Sequence, residues 1–405
     1  MRVSEKMLLD NVADRLQRQS ASLLKLQDQV TGGKRINKPS DDPLGQADVI
    51  HFEKSIESTE QYLRNIDQLT SFVSASETVL QTVQDQLIRA RALAIQAANA
   101  TNTAADRTII AREVRQIYDQ LIAVGNTNHA GTYLFAGNQV NTQPFVNQGT
   151  FIGTAITPPL TISTGVNDVL NITIDGVTDN VTLAPIAGAT GAQLAASVET
   201  AINANTTFQN AGISVSASFD TDHLVFTSNA VGGTSAVTPN SGTAFATLVG
   251  AGPGTARAAG TYLGDSTENA ILIGENTRIV KNMPGDRLLK GAGGGVDVLS
   301  VVGALQSALE SNDVTGIQTA LGNLTGAQDQ VNNERSLIGA RLNRAEASES
   351  MLEDFKLTVS RLKSETEDID LPATISKLLL QESMLEATRA VTARVVQRSL
   401  LDFLR

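Results

Sequence analysis

The chain has 405 residues, 41% of them hydrophobic, with a formal net charge of −11. That is enough for about two or three domains with a sizeable core, and the acidic balance argues against a nucleic-acid partner. Cysteine is absent, which excludes disulfides, thiol nucleophiles and thiolate metal sites. No apolar run reaches the ~20 residues of a membrane span, and the first ten residues lack the apolar stretch of a cleaved signal peptide, so an extracellular role would require another export route.

Read in chain order, Leu9, Val12, Leu16, Leu23, Leu26 and Val30 fall on alternating three- and four-residue steps, with Gln19 as the gap. This is an a/d seam and predicts a helix that stops at Gly32-Gly33. A loop through Pro43 follows, in which Ser40 or Asp41 is the expected cap of the next helix, with Pro43 in its first turn. The second helix carries two rows at multiples of seven. One is Tyr62, Leu69, Val83, Ala90 and Ala97, and the other is Ile66, Val73, Leu80, Leu87 and Ala94. Thr103 is a candidate cap for a third helix bearing Ile109, Ile110, Val114, Ile117, Leu121 and Val124, which ends near Gly125-Asn126. Arg89, Arg91, Arg107, Arg112 and Arg115 are expected either on solvated helix faces, paired with acids, or in salt bridges between subunits.

From about Gln139 the period changes. Ile172, Ile174 and Val177 alternate with polar residues, as do Val215, Ala217 and Phe219, then Leu224 and Phe226, so short strands are expected. Asp175-Gly176 and Asp220-Thr221-Asp222 read as hairpin turns. Between the strand pairs, Leu194, Val198, Ala201 and Ile202 have helical spacing, which gives a small α+β insert. Gly232 to Gly254 reads as loop or linker. Between Gln116 and Ala256 there is no Lys or Arg, whereas residues 1–38 carry eight against four Asp/Glu. Either the insert is solvated by Thr, Asn and Ser groups instead of ions, or its composition has simply drifted.

Helical period returns near Val298. Ile317, Leu324, Val331, Ile338, Ala345, Leu352 and Val359 lie seven apart, with Leu342, Phe355 and Leu362 supplying part of a second row. The last helix is expected to start with Asp370 as N-cap and Pro372 in the first turn. It runs on Ile375, Leu378, Leu379, Leu385, Val391, Val395, Leu400 and Leu404.

Patterns that would carry chemistry are weak. His51, His129 and His223 have no ligand spacing, and no H-E-x-x-H or G-x-S-x-G occurs. Gly291-Ala292-Gly293-Gly294-Gly295 lacks the Lys-Ser/Thr of a phosphate loop. Asp220 and Asp222 lack the Glu that completes a Ca²⁺ loop. No catalytic, cofactor-binding or metal-ligating residue is assigned, and no enzymatic activity is expected.

Several segments resemble the flagellin family. Leu26-Gln-Asp-Gln-Val-Thr-Gly-Gly-Lys-Arg-Ile-Asn-Lys-Pro-Ser-Asp-Asp-Pro43 is similar to its N-terminal signature, and Pro39 and Pro43 bring it nearer to the hook-associated members. Leu93 to Asn102, Thr132-Tyr-Leu-Phe-Ala-Gly137, Arg335 to Arg344 and Asp368-Ile-Asp370 with Ile375-Ser376 resemble further family segments, in the family's order. Pro372 departs from many relatives but is harmless in a first turn. The chain is also longer than the shorter junction members, which leaves the role of its larger insert open.

The resemblance implies a mainly α fold with an α+β insert, in which N- and C-terminal segments form a long antiparallel helical bundle around a central variable domain. The implied divisions are residues 1–42 (N-terminal axial helix), 43–138 and 263–366 (bundle), 139–262 (insert) and 367–405 (C-terminal axial helix). The implied function is that of a structural adaptor at the hook–filament junction, exported through the flagellar type III channel, with terminal helices that fold on assembly. Its partners would be further copies of itself in a ring-like oligomer, another hook-associated junction protein, flagellin and a flagellar export chaperone, with no nucleic acid and no cofactor. Expected assembly contacts are Leu9, Leu16, Leu23, Leu26, Leu385, Val391, Leu400 and Leu404. A filament-forming flagellin is the alternative, and an adhesin carried by the insert is the second.

Overall fold

The structure is a computed structural model that describes residues 2–230, 235–250, 252 and 254–403; within these, side chains are described for Met7 and from Asp10 to Ala393. The chain opens with three helices, α1 (Arg2–Gly32), α2 (Pro43–Ala98) and α3 (Ala104–Gly125). Strands β1 (Asn128–His129), β2 (Thr132–Tyr133), β3 (Thr150–Ile152), β4 (Leu160–Ile162), β5 (Val169–Ile174), β6 (Val177–Thr182) and β7 (Ile186–Ala189) follow, then helices α4 (Gly191–Ala204) and α5 (Thr206–Asn210). Next come β8 (Val215–Asp220), β9 (His223–Ser228), β10 (Val237–Ser241), α6 (Phe245–Val249), β11 (Thr255–Arg257), β12 (Ala270–Leu272) and β13 (Arg278–Val280). Helices α7 (Gly285–Leu289), α8 (Val298–Glu310), α9 (Val314–Glu367) and α10 (Leu371–Phe403) complete the chain. This is the mainly α fold with a strand-rich centre that the sequence implies. Two compact units divide it, Met1–Asn65 with Ala347–Arg405, and Ile66–Glu346; α2 and α9 contribute to both.

In the first unit α1 packs along α10, and the start of α2 runs antiparallel to the end of α9. Glu53 meets Lys363 at 2.8 Å and Glu60 meets Lys356 at 2.8 Å. The cap of α2 is Asp42, whose Oδ1 accepts from the Gly45 amide at 3.0 Å. The expected Ser40 or Asp41 does not take this role. Pro43 is the first helical residue, so the orphan amide is three positions past Asp42, while Asp41 instead accepts from the Asn37 and Lys38 amides inside the loop. Asp370 does cap α10, accepting from Ala373 at 3.1 Å.

The second unit holds a helical bundle of α2, α3, α8 and α9. Both heptad rows of α2 are buried from Ile66 to Ala97, and the α9 row is buried at Ile317, Leu324, Val331, Ile338 and, in the first unit, at Leu352 and Val359. Their second-row companions Phe355 and Leu362 are instead exposed. Thr103 caps α3 through a full capping box with Asp106. Asn312 adopts φ 54° between α8 and α9, a break that the continuous apolar pattern hides.

The insert places a four-stranded sheet, β11-β3-β9-β8, and a three-stranded sheet, β10-β5-β6, around one core, with a β4-β7 pair beside them. Phe151, Ile172, Leu194, Val198, Ile202, Phe208, Leu224 and Phe226 meet in that core. Both expected hairpins form, with Asp175 (φ 49°) and Gly176 (φ 84°) in one turn and Thr221 (φ 56°) in the other. The stretch from Gly232 to Gly254 is not simply linker. Its described part contains β10, which pairs with β5, and α6, which buries Leu248 and Val249. A five-residue strand containing Pro239 has little alternation to read, and its partner lies about sixty positions away. Strands β3, β4, β7, β11, β12 and β13 also lie outside the sequence expectation, each of four residues or fewer.

Where bundle and insert meet, Thr132-Tyr-Leu-Phe-Ala-Gly137 acquires a physical role. Leu134, Phe135 and Ala136 are buried, and Tyr262 donates its hydroxyl proton to the Phe135 carbonyl at 2.8 Å. Gly137 has φ 68°, and a Cβ there would overlap the Asp265 backbone. Only glycine fits this place without strain.

Candidate assembly surface

The α1–α10 pair is built from two amphipathic helices that cover each other only in part. On α1 the half-buried positions include Val12, Leu16, Gln19, Leu23, Leu26 and Val30, the seam read from the sequence, with the polar Gln19 in the gap, and the neighbouring Ser20 and Gln29. On α10 the inward positions are Thr374, Leu378, Leu385, Thr388 and Thr392, which follow heptad steps. Leu385 is buried, whereas Val391 is 60% exposed. Ile375 and Leu379 also lie outside the pair, because the apolar residues of α10 occupy more of its circumference than one neighbour can cover. The side chains of Leu9 and Leu400, and Leu404 altogether, lie outside the described residues.

The uncovered residues form a pattern. Leu380, Met384 and Val391 are exposed at i, i+4 and i+11, with Ala387 between them at i+7. This spacing aligns them on one helix face, opposite in character to a face meant for water.

A clasp closes the end of the pair. Lys34 bridges to Asp368, the Arg35 amide donates to the Glu367 carbonyl at 2.6 Å, and the Ile369 amide donates to Gly33 at 3.2 Å. Side chains repeat the tie, with Lys34 on Glu367, Arg35 on Asp42 at 3.0 Å and on the Thr366 carbonyl at 2.8 Å, and Lys25 on Asp41 at 2.9 Å. The Lys25 ammonium holds the Asp41 carboxyl below the usual carboxylate range. The Gly45 amide, and then Arg35, do the same for Asp42, and Glu53 raises Lys363. The signature loop is therefore a connector whose charges are matched by the α9–α10 junction. Apart from the one to Glu367, which is buried, these ties are largely exposed and add little stability individually; their value is in fixing where the two chain ends meet.

The predicted arginines divide. Arg89 pairs with Glu113, its Nε donating at 2.6 Å, while Arg91 and Arg112 are exposed. Arg107 is neither solvated nor on an outer face. It is buried and donates to the Ala97 and Asn99 carbonyls at 3.0 and 3.3 Å and to Asn312. The one hint in the sequence is its place four residues after the Thr103 cap, just beyond the end of the preceding helix.

In the insert, carboxylates are met by amides and hydroxyls. Asp175 accepts from Ser228 and the Ala236 amide, Glu199 from the Ala217 amide and Asp179 from Asn205. Asn171, Thr173, Thr178, Asn180 and Asn240 form a hydrogen-bonded ladder across the exposed face of the three-stranded sheet. This is how a stretch without Lys or Arg from Gln116 to Ala256 keeps its acids satisfied. Phe151, Phe208 and Phe226 are core residues and offer no ring to a sugar.

Comparison with known proteins places the N-terminal part of the chain. Residues 3–140 match the bacterial flagellin N-terminal helical region. A stretch of 210 residues is 28% identical to flagellar hook-associated protein 3 of Escherichia coli, covering 50% of this chain and 66% of that protein. A stretch of 146 residues is 31% identical to flagellar hook-associated protein 3 of Salmonella typhimurium, covering 36% and 46%. The chain thus spans just under two thirds of the first relative and under half of the second. Among solved structures, a putative flagellar hook-associated protein from Vibrio parahaemolyticus has a TM-score of 0.49 and 17% identity, covering 81% of this chain and all of that one.

Proposed function

We propose that the chain, whose residues 3–140 match the bacterial flagellin N-terminal helical region and which is similar over part of its length to flagellar hook-associated protein 3, is a structural subunit of the bacterial flagellum at the hook–filament junction. On this reading the flagellin filament assembles on a ring-like oligomer of the chain, which itself sits on another hook-associated protein after export with a chaperone. The observation that carries the proposal is the α1–α10 pair, whose shared seam leaves Leu380, Met384 and Val391 bare. An apolar helix face exposed in a subunit is stabilised by burial at about 25 cal/mol per Å² when neighbouring subunits cover it. Leu16, Leu23, Leu26 and Leu385 would hold the pair together, and Val391 would face the neighbour. Residues 1–42 and 367–405 would supply the axial helices, 43–138 with 263–366 the bundle around them, and 139–262 an outward domain.

Deleting the gene and inspecting cells and medium tests this. Bare hooks with flagellin lost to the medium are expected. Disappearance of flagellin from both cells and medium would identify the chain as the filament protein instead, and unaltered filaments would remove it from both roles.

A further inference from the structure

The insert carries six Asp/Glu between residues 139 and 262 and one base, Arg257, which is also the sole Lys or Arg in residues 116–277. None of those acids takes it: the Arg257 guanidinium has no ion pair or hydrogen bond among the described residues. The register of the four-stranded sheet decides where it lies. Arg257 of β11 is the cross-strand partner of Thr150 on β3, and Thr150 is that of Thr227 on β9, so the three side chains form one row on one face. Phe151 and Phe226 alternate with this row and lie in the core, which puts the row on the outer face. There it floors an open depression of about 350 Å³, walled by residues 143–148 and Leu263. That wall is held in place. Val146 donates its amide to Thr261 at 3.0 Å, Leu263 donates to Pro144 at 2.7 Å, and the Asn126 side chain donates to both Phe145 and Asn147 at 2.9 Å. Among the described residues no carboxylate lines the depression, and the Gln148 amide and the hydroxyls of Thr150 and Thr227 are unengaged.

We propose that this depression binds a sugar carboxylate, Arg257 holding the carboxylate while Thr150, Thr227 and Gln148 meet the hydroxyls. A guanidinium offers two parallel N–H donors that match a carboxylate. The groups around it both donate and accept, which suits a ligand whose hydroxyls do the same. Other small ligands fit less well. Phosphate brings up to two negative charges to a domain with six acids and one base, and few donors for the Gln148 carbonyl. A bare carboxylate leaves the hydroxyl partners unused, and a neutral sugar leaves Arg257 unpaired. With Phe151, Phe208 and Phe226 in the core, selectivity rests on charge and hydrogen bonds instead of stacking. A ligand of this size in an open site binds in the ~1 mM range. The site is independent of the proposed assembly role, which uses the terminal helices.

Saturation-transfer NMR of glucuronate on the full-length chain tests this, with acetate, glucose and inorganic phosphate as competitors. Glucuronate should give a saturable signal, and each competitor should need a several-fold higher concentration than unlabelled excess glucuronate to halve it. Arg257→Gln should abolish the signal. Arg257→Lys, which keeps the charge without the fork, and Thr150→Val, which keeps the shape without the hydroxyl, should each weaken binding several-fold. Every variant is checked for parental circular dichroism and thermal midpoint. The displacement arms use the parent chain, so they decide the ligand class even where a variant misfolds. Displacement by acetate, glucose or phosphate as effective as by glucuronate itself, an undiminished signal in Arg257→Gln, or no saturable signal at all overturns the site. The gene deletion reads the junction role separately, and neither result bears on the other.

Discussion

Arg107 acts at the end of α2 as a capping group delivered from the next helix, its guanidinium fork ending the orphan carbonyls of Ala97 and Asn99 and fixing Asn312. Removing it leaves buried acceptors unmet and a void where its stem packed. Arg107→Ala should cost about 2–4 kcal/mol in urea unfolding, and Arg107→Lys should recover less than half, since an ammonium cannot reproduce the fork. Asp119 is the opposite case. Its Oδ1 is buried without a hydrogen-bond partner, and burial raises its pKa above 3.8, opposed by Arg115. The folded state therefore binds this proton more tightly than the unfolded chain. Its favourable contribution is complete below the unfolded value and is lost as pH rises through the folded one. Asp119→Asn should be more stable than the parent by about 1 kcal/mol at pH 7, with the gap closing as pH falls toward 3.8. Urea midpoints at both pH values measure this, and a gap independent of pH would show that Asp119 is not the titrating group. Neither residue could be singled out from the sequence, because an arginine or an aspartate on a helix reads as solvated until the neighbouring element is placed.

At the scale of elements, one helix can carry two apolar rows with different fates. On α9, Ile338 is buried and Phe355 is exposed, although both fall on heptad steps. Ile338→Ala should therefore destabilise the isolated chain by about 2–5 kcal/mol, and Phe355→Ala by under about 0.5 kcal/mol. Thermal unfolding of the two variants checks the contrast; comparable losses would mean that Phe355 has a partner within the chain. The same reasoning explains α10, where Leu385 faces α1 and Val391 faces away. In the insert, element edges are managed by side chains. Asn203 of α4 pairs with both the amide and the carbonyl of Val215, and Glu199 takes the Ala217 amide, so β8 does not present an open ladder. This blunts an edge strand without a single basic residue.

For the whole molecule, the two terminal helices partner each other within one chain and still expose an apolar face. Leu16→Asp should leave the second unit's cooperative unfolding unchanged while abolishing incorporation into flagella, read by microscopy of a complemented deletion strain. Normal filaments from that strain would remove α1 from assembly. Much of this organisation was legible in the chain alone. Seven-residue spacing fixed the long helices, Gly32-Gly33, Thr103 and Asp370 marked their ends, and alternation around Asp175-Gly176 and Thr221 marked both hairpins, because caps, turns and periodicity are local consequences of backbone geometry. The insert's outline was readable for the same reason. What only the tertiary structure decided is which apolar row is covered and which is bare, that Arg107 is a cap, that Gly33-Lys34-Arg35 clasps a segment more than three hundred residues away, and that β10 and α6 close the insert core. Those outcomes depend on the neighbour each face meets, and periodicity specifies that a face is apolar without specifying what lies against it.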